Sequence, residues 1–365
     1  FESITDEHQG IFTIAEEGTY FITITAKDHS ENITTYTSPE IRLDMTNPEI
    51  DVVFDGGETA YNDYYYNLTR NATVSITEEN FDAQKVYIDV TALDIAGDAI
   101  DEAQTIEDAL NEQLHTAEEW SSEGDVHSIE LAFSTDARYT FTVYCSDIVN
   151  NNADPWASDA FVVDHAVPTD VEITYTSTPV TEIEDGGTVY GFYGTTGGEG
   201  DEYVAITLQA QDAISGIDYF TWQYNREEGA SESILEQSLP ATIEAEPTEE
   251  DPSVYTAQII LTEALADQLR GSITFYATDM ANNSSDPFAD DNYVVVVDTI
   301  APYMTVSYSQ ANETEEDGKQ ILNYASEFTA TLTVTEANFY EENVVISLYN
   351  GTETVKLPEI TWNAD

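Results

Sequence analysis

One pattern, met three times, constrains this chain more than its composition does. An alternating strand ends in Asp, and Asn follows four residues later. The copies are Tyr20-Phe-Ile-Thr-Ile-Thr-Ala-Lys-Asp28 with Asn32, Tyr139-Thr-Phe-Thr-Val-Tyr-Cys-Ser-Asp147 with Asn151, and Ser272-Ile-Thr-Phe-Tyr-Ala-Thr-Asp279 with Asn283. Self-similarity of this kind marks repeated supersecondary units. The first two copies also match upstream, since His8 and His127 each stand 12 residues before the Tyr. Downstream, each copy passes through a short apolar run into Asp-x-x-x-Pro, at Asp44 to Pro48, Asp164 to Pro168 and Asp298 to Pro302. The Pro-to-Pro spacings are 120 and 134 residues, and a new alternating strand follows every Pro.

A further match links Ala72-Thr-Val-Ser-Ile-Thr-Glu-Glu-Asn-Phe81 to Ala330-Thr-Leu-Thr-Val-Thr-Glu-Ala-Asn-Phe339, while the middle unit carries Ala205 to Asp212 and then Ser215-Gly-Ile217. Two subtypes therefore alternate. The units expected are 1–46 (the C-terminal part of one domain), 47–166, 167–300, and 301–365 (the N-terminal part of another). A length of 365 residues suits about three domains of ~100–150 residues. Short strands of period two, separated by Gly, Asn and Asp turns, predict an all-β chain of β-sandwiches. The register puts Tyr139, Phe141, Val143 and Cys145 on one buried face, matched by Tyr20, Ile22, Ile24 and Ala26 and by Ile273, Phe275 and Ala277. Cys145 is then a small core hydrophobe. Between 101 and 120, Ala103, Ile106, Leu110 and Leu114 recur at helical spacing and predict a helix inserted into the 47–166 unit. A weaker stretch of the same kind is Thr262 to Leu269.

Composition sets limits on partners. With 72 acidic residues against 9 Lys plus Arg, the formal charge is −63, which repels nucleic acid and anionic membranes and favours cations. A hydrophobic fraction of 41% with 23 Tyr and 14 Phe supplies cores and argues against disorder. One cysteine rules out an internal disulfide framework. No apolar run is long enough for a membrane helix, and both ends of the sequence read as cuts through a longer protein.

With Asp147-Ile-Val-Asn-Asn151, the Asp164-x-x-x-Pro168 junction, the Ala72-to-Phe81 strand and Asp212-Ala-Ile-Ser-Gly-Ile217 in hand, the chain resembles the bacterial immunoglobulin-like repeat arrays of large surface proteins. These are adhesin-type envelope proteins, and the Tyr-rich, Lys-poor style is similar to that of Firmicutes. The resemblance implies tandem immunoglobulin-like β-sandwich domains, one with a helical insertion, in an extracellular, cell-surface setting. It implies a structural stalk or spacer. The alternatives are a module that binds carbohydrate or a host surface protein, and a self-assembling envelope layer or filament. The neighbouring repeats of the same chain are the expected partners, with self-association open and no direct membrane contact.

The one chemistry the residues suggest is cation binding. Asp28, Asp147 and Asp279 close strands, while Asp44, Asp164 and Asp298 open linkers, and in a sandwich both kinds of position are expected near one pole, at the junction. Calcium takes six to eight oxygen ligands, and some related arrays hold it at such linkers. The same residues are also suited to capping turns without any metal. No enzyme is expected. Carboxylate pairs at any spacing occur by chance among 72 acids, and His8, His29, His115, His127 and His165 form no ligand motif. Ligand-contact candidates are the loop aromatics Tyr61, Tyr64, Tyr65 and Tyr66 and the stretch 176–203.

Overall fold

A computed structural model describes residues 8–55, 60–61, 64–175, 179–183, 187–193, 204–226, 240–261, 269–289, 293–298, 301–336, 339, 341–358 and 360–363. The chain is all-β apart from one α-helix and short 3-10 turns among those residues.

Residues 49–163 form two sheets over one core. In the first sheet, Ser121–Glu123, Val126–Phe133, Arg70–Thr77 and Glu49–Phe54 lie side by side and antiparallel. In the second, Ala137–Cys145 is flanked by Val86–Leu93 on one side and by Trp156–Ala157 and Phe161–Val163 on the other. Tyr65–Tyr66 then pairs parallel to Phe161–Val163. Alternation decides which side chains face inward. Ala72, Val74 and Ile76 from one sheet meet Ile88, Tyr139, Phe141 and Val143 from the other, all but fully buried. Cys145 lies in the same core as a free thiol, which burial pushes up to about 12.

The helix, Ala103–Leu114, buries Leu110 and Leu114 against this core, as the spacing predicts. It also completes an edge. Asn111 donates to the Ile88 carbonyl and accepts from the Ile88 N–H, each at 2.9 Å, and Glu107 accepts from the Val90 N–H at 2.9 Å. These are backbone groups on the outer side of Val86–Leu93, which would otherwise present an open strand edge. Trp120 donates its indole N–H to the Leu114 carbonyl at 2.7 Å, tying the helix end to the strands that follow. Of the weaker stretch, 262–268 lies outside the described residues, and Leu269 opens a strand.

Residues 169–298 repeat the plan. Thr169–Tyr175, Val204–Gln211, Val254–Leu261 and Glu246–Pro247 form one sheet. Pro179–Ile183, Gly187–Tyr193, Tyr293–Asp298, Leu269–Asp279, Ile217–Arg226 and Ala241–Glu244 form the other, in that order. Gly187–Tyr193 pairs parallel to Tyr293–Asp298, as the short strand does in the first unit. The core gathers Ile206, Leu208, Phe220, Ile273, Phe275 and Ala277.

The flanking segments carry the same local registers. Gly18↔Leu43 and Tyr20↔Ile41 reproduce Ala137↔Val163 and Tyr139↔Phe161. The Tyr20 and Tyr139 hydroxyls each donate to the carbonyl four residues upstream. The Ser38 and Ser158 hydroxyls accept from the N–H groups of Ile22 and Phe141. At the other end, Tyr303–Tyr308 pairs with Ala330–Thr335 as Glu49–Phe54 pairs with Arg70–Thr77. Phe339 meets Trp362 at 5.0 Å between ring centroids, as Phe81 meets Trp120 at 4.8 Å. One expectation is overturned here: Ile24 and Ala26 do not lie in a core. Ile24 is half exposed, because the strand Thr23–Lys27 pairs with Ile33–Thr37 and, among the described residues, has no counterpart of Val86–Leu93 beside it.

Candidate functional site

The Asp-x-x-x-Asn loop is built alike three times. Asp28 Oδ1 accepts from the N–H groups of Ser30 and Asn32, and its Oδ2 accepts from Asn32 Nδ2. Asp147 makes the same set with Val149 and Asn151, and Asp279 accepts from the Asn283 N–H and Nδ2. A carboxylate that accepts local N–H groups closes the turn without help from elsewhere. Asp28 is exposed, and its bonds to the Asn32 side chain and backbone hold it below the ordinary carboxylate range.

At two of these loops the Asn does a second thing. Asn151 Nδ2 also donates to the Asp44 backbone carbonyl at 3.2 Å, and Asn283 Nδ2 to the Asp164 carbonyl at 3.0 Å. Each Asn therefore fastens the linker aspartate of the preceding unit onto its own unit. Behind each contact three carboxylates converge. Asp44, Glu78 and Asp147 form one group and Asp164, Asp212 and Asp279 the other, each offering oxygens within 4.8 Å of one another. All but Asp44 are buried.

Of the six aspartates expected as ligands, four thus gather in two pairs. Asp28 stands in no such group, and the side chain of Asp298 lies outside the described residues. The pairing also corrects the expected arrangement. Asp147 and Asp164 of one unit do not share a pole. Ala137–Cys145 runs antiparallel to Phe161–Val163 with Ala137 opposite Val163, so Asp164 lies at the start of the long strand and Asp147 beyond its end. A nine-residue strand separates them by roughly 30 Å. Asp44 and Asp164 each meet the loop Asp of the next unit instead. Glu78 and Asp212 were missed by the sequence reading. The available signal was the strand alignment itself, in which an acid closes the strand in every copy: Glu78, Asp212 and Glu336.

The second junction is the more enclosed. Asp164 accepts from the Ser215 N–H at 3.1 Å across the junction and from the Ala166 N–H at 3.1 Å within the linker. The hydrogen bonds of Asp212 converge on Oδ1, from the N–H groups of Ile214 and Gly216. Burial, and then the charge of Asp212, pushes Asp164 up to about 6. Burial is also the first cause for Asp279, which rises to about 7 against the bonds from Asn283. At the first junction burial raises Glu78. Desolvation acts on Asp44 too, but the Thr46 N–H and Asn80 Nδ2 outweigh it and the group is lowered.

Polar and apolar contacts complete the second junction. Arg138 Nε donates to the Ile214 carbonyl at 2.8 Å and Nη2 to the Ser215 carbonyl at 3.2 Å. The Ile95 N–H donates to the Ala213 carbonyl, and the Ile95 side chain packs against the second core. Gly216 has φ +85°, and a Cβ there would run into the Tyr255 hydroxyl and the Ile95 side chain.

Three of the four loop aromatics can be placed, Tyr64 standing edge-on to Tyr65 at 4.8 Å between ring centroids. Tyr66 is buried under the Arg70 guanidinium, 4.2 Å from its ring centroid, and Tyr65 is half-buried near Arg138. Tyr61, in the strand Ala60–Tyr61, has its side chain outside the described residues. Within 176–203, residues 176–178, 184–186 and 194–203 lie outside them entirely. His127 stacks on Phe81 at 4.3 Å and bonds Ser122 and the Glu78 carbonyl, a packing role.

Buried carboxylates cost free energy unless a cation or protons neutralise them. Three carboxylates plus nearby carbonyls form a donor set of the hard-oxygen kind that calcium takes. No family model matches the chain, and no curated protein matches it in sequence.

Proposed function

We propose that the chain is a structural spacer: a tandem array of immunoglobulin-like sandwich units (1–46, 47–166, 167–300 and 301–365), of the kind that projects other domains from a bacterial cell surface. The observation that supports this reading is the duplicated junction, in which Asn151 holds Asp44 and Asn283 holds Asp164. A module built for one ligand needs one distinctive loop; a spacer needs the same joint at every boundary. Calcium at Asp44, Glu78 and Asp147 and at Asp164, Asp212 and Asp279 is part of the proposal, since it would neutralise carboxylates that burial disfavours and stiffen both joints. The resemblance of the repeats and the charge of −63 agree with an extracellular, calcium-rich setting.

The test is thermal melting of the full chain in millimolar calcium and in EDTA at matched ionic strength, with small-angle scattering of the same samples. A large rise in melting temperature with no loss of extension supports the reading. Equal melts remove calcium from it, and a collapsed, variable envelope in both buffers removes the spacer.

A further inference from the structure

The turn 212–216 of the 167–300 unit is not completed by its own unit. Ser215 and Gly216 are buried there, so their backbone groups need protein partners. Within the unit, Asp212 Oδ1 accepts from the N–H groups of Ile214 and Gly216, and the Gly216 carbonyl accepts from the Met280 N–H at 2.9 Å. The remaining groups look the other way. The Ala213 carbonyl accepts from the Ile95 N–H at 2.8 Å, the Ile214 carbonyl from Arg138 Nε, and the Ser215 carbonyl from Arg138 Nη2. The Ser215 N–H donates to Asp164. All of these partners belong to the preceding unit. Without it, buried backbone groups at Ser215 would be orphaned, which is strongly disfavoured.

The counterpart turn in the 47–166 unit is built differently. There the Asn80 N–H donates to Glu78 and the Asn80 carbonyl accepts from the Ile148 N–H, both inside the same unit.

Arg138 and Ile95 supply the two halves of the contact. A guanidinium presents its N–H groups in a fixed fork, and here Nε and Nη2 reach the carbonyls of two successive residues. Such charge-assisted bonds need no ion. Arg138 is itself steadied by a bond to the Tyr65 side chain. The Ile95 side chain packs on the second core, and a Cβ at Gly216 would come within 2.8 Å of it.

We propose that Ile95 and Arg138 form a receptor for the 212–216 turn, so that the units 47–166 and 167–300 make one fixed pair in the absence of any bound ion. A cation at Asp164, Asp212 and Asp279 then adds to a joint that is already closed.

Hydrogen exchange of the full chain in EDTA, read by mass spectrometry, tests this. Segments 93–97 and 212–217 are expected to be protected. Arg138→Ala should speed exchange in 212–217 about tenfold, and Ile95→Ala should act in the same direction from the apolar side. Arg138→Lys, which keeps the charge but lacks the fork, should fall between. Exchange across Val126–Phe133 and Val254–Leu261 should stay slow, showing that both units remain folded. Faster exchange at 212–217 in either alanine variant, with those strands intact, supports the receptor. Rapid exchange of 93–97 and 212–217 in the unaltered chain, slowed only by millimolar calcium, overturns it, because the ion would then make the joint. Unchanged protection of 212–217 in both alanine variants overturns it as well. The spacer reading fails on a collapsed envelope and the receptor on exchange in EDTA, so either can fall alone.

Discussion

Asn283 holds Asp164 by its backbone carbonyl at 3.0 Å while bonding the Asp279 carboxylate at 2.8 Å with the same side-chain nitrogen. One amide thus joins the end of one unit to the loop of the next. Its replacement in Asn283→Ala removes both bonds and leaves a buried carboxylate less satisfied. We expect a loss of about 1–3 kcal/mol from the 167–300 unit, read by chemical denaturation. The 47–166 unit should keep its own transition.

Stability of the metal-free chain should fall as pH rises. Asp164 and Asp279 lie at about 6 and about 7 when folded, above the ordinary value of 3.8. Between about pH 4 and pH 7 the folded chain therefore holds protons that the unfolded chain has released. The resulting stabilisation is complete below the ordinary value and is lost as pH rises through 6 to 7. Melts in EDTA are expected to drop between pH 5 and pH 8. On the proposed calcium reading, the ion would compete with those protons and raise the melting temperature strongly at pH 8 and little at pH 5.

Asp212→Asn separates charge from shape. The hydrogen bonds of Asp212 run to Oδ1, which an Asn carbonyl oxygen replaces, while its amide can donate to a neighbouring carboxylate. The variant should stabilise the metal-free 167–300 unit at pH 8 by about 1 kcal/mol, some 3–5 °C. It should also flatten the pH dependence and abolish any calcium response of that unit. A calcium response equal to that of the unaltered chain would show that the cluster holds no ion.

Gly216→Ala tests how tightly the second junction is packed. The left-handed backbone at φ +85° and the approach of Tyr255 and Ile95 both oppose a side chain there. A cost of at least ~1–3 kcal/mol is expected, with looser coupling between the two unit transitions in calorimetry.

Leu114→Ala tests whether the helix belongs to the core. Leu114 is fully buried, so the variant should cost about 2–5 kcal/mol, confined to the 47–166 transition.

The repeats and strand faces were legible because they are local: period two, a closing Asp, an Asn four residues on. The helix was legible from Leu110 and Leu114, but its service to the edge at Ile88 was not, since Asn111 looks like any surface amide until the strand lies beside it. Four of the six expected aspartates cluster because the motif that marks them also marks the junction. Glu78 and Asp212 escaped notice because the strand-closing acid changes type between copies, Glu78 and Glu336 against Asp212, and only the folded strands carry it to the junction. The partner of Asp147 was misjudged for a related reason: spacing along the chain does not reveal that antiparallel pairing puts Asp164 at the far end. Tyr66 read as a loop aromatic, but it pairs beside Val163, meets Phe161 edge-on in the first core and lies under the Arg70 guanidinium.

The parallel pairing near the entry and exit of each unit has a mechanical consequence. Tyr65–Tyr66 lies along Phe161–Val163, and Gly187–Tyr193 along Tyr293–Asp298. Tension applied through the two ends of a unit would slide such strands past one another, loading all their bonds at once instead of peeling them singly. The second unit, with six residue pairs in that patch against two in the first, should be the last of the two to yield when the chain is pulled.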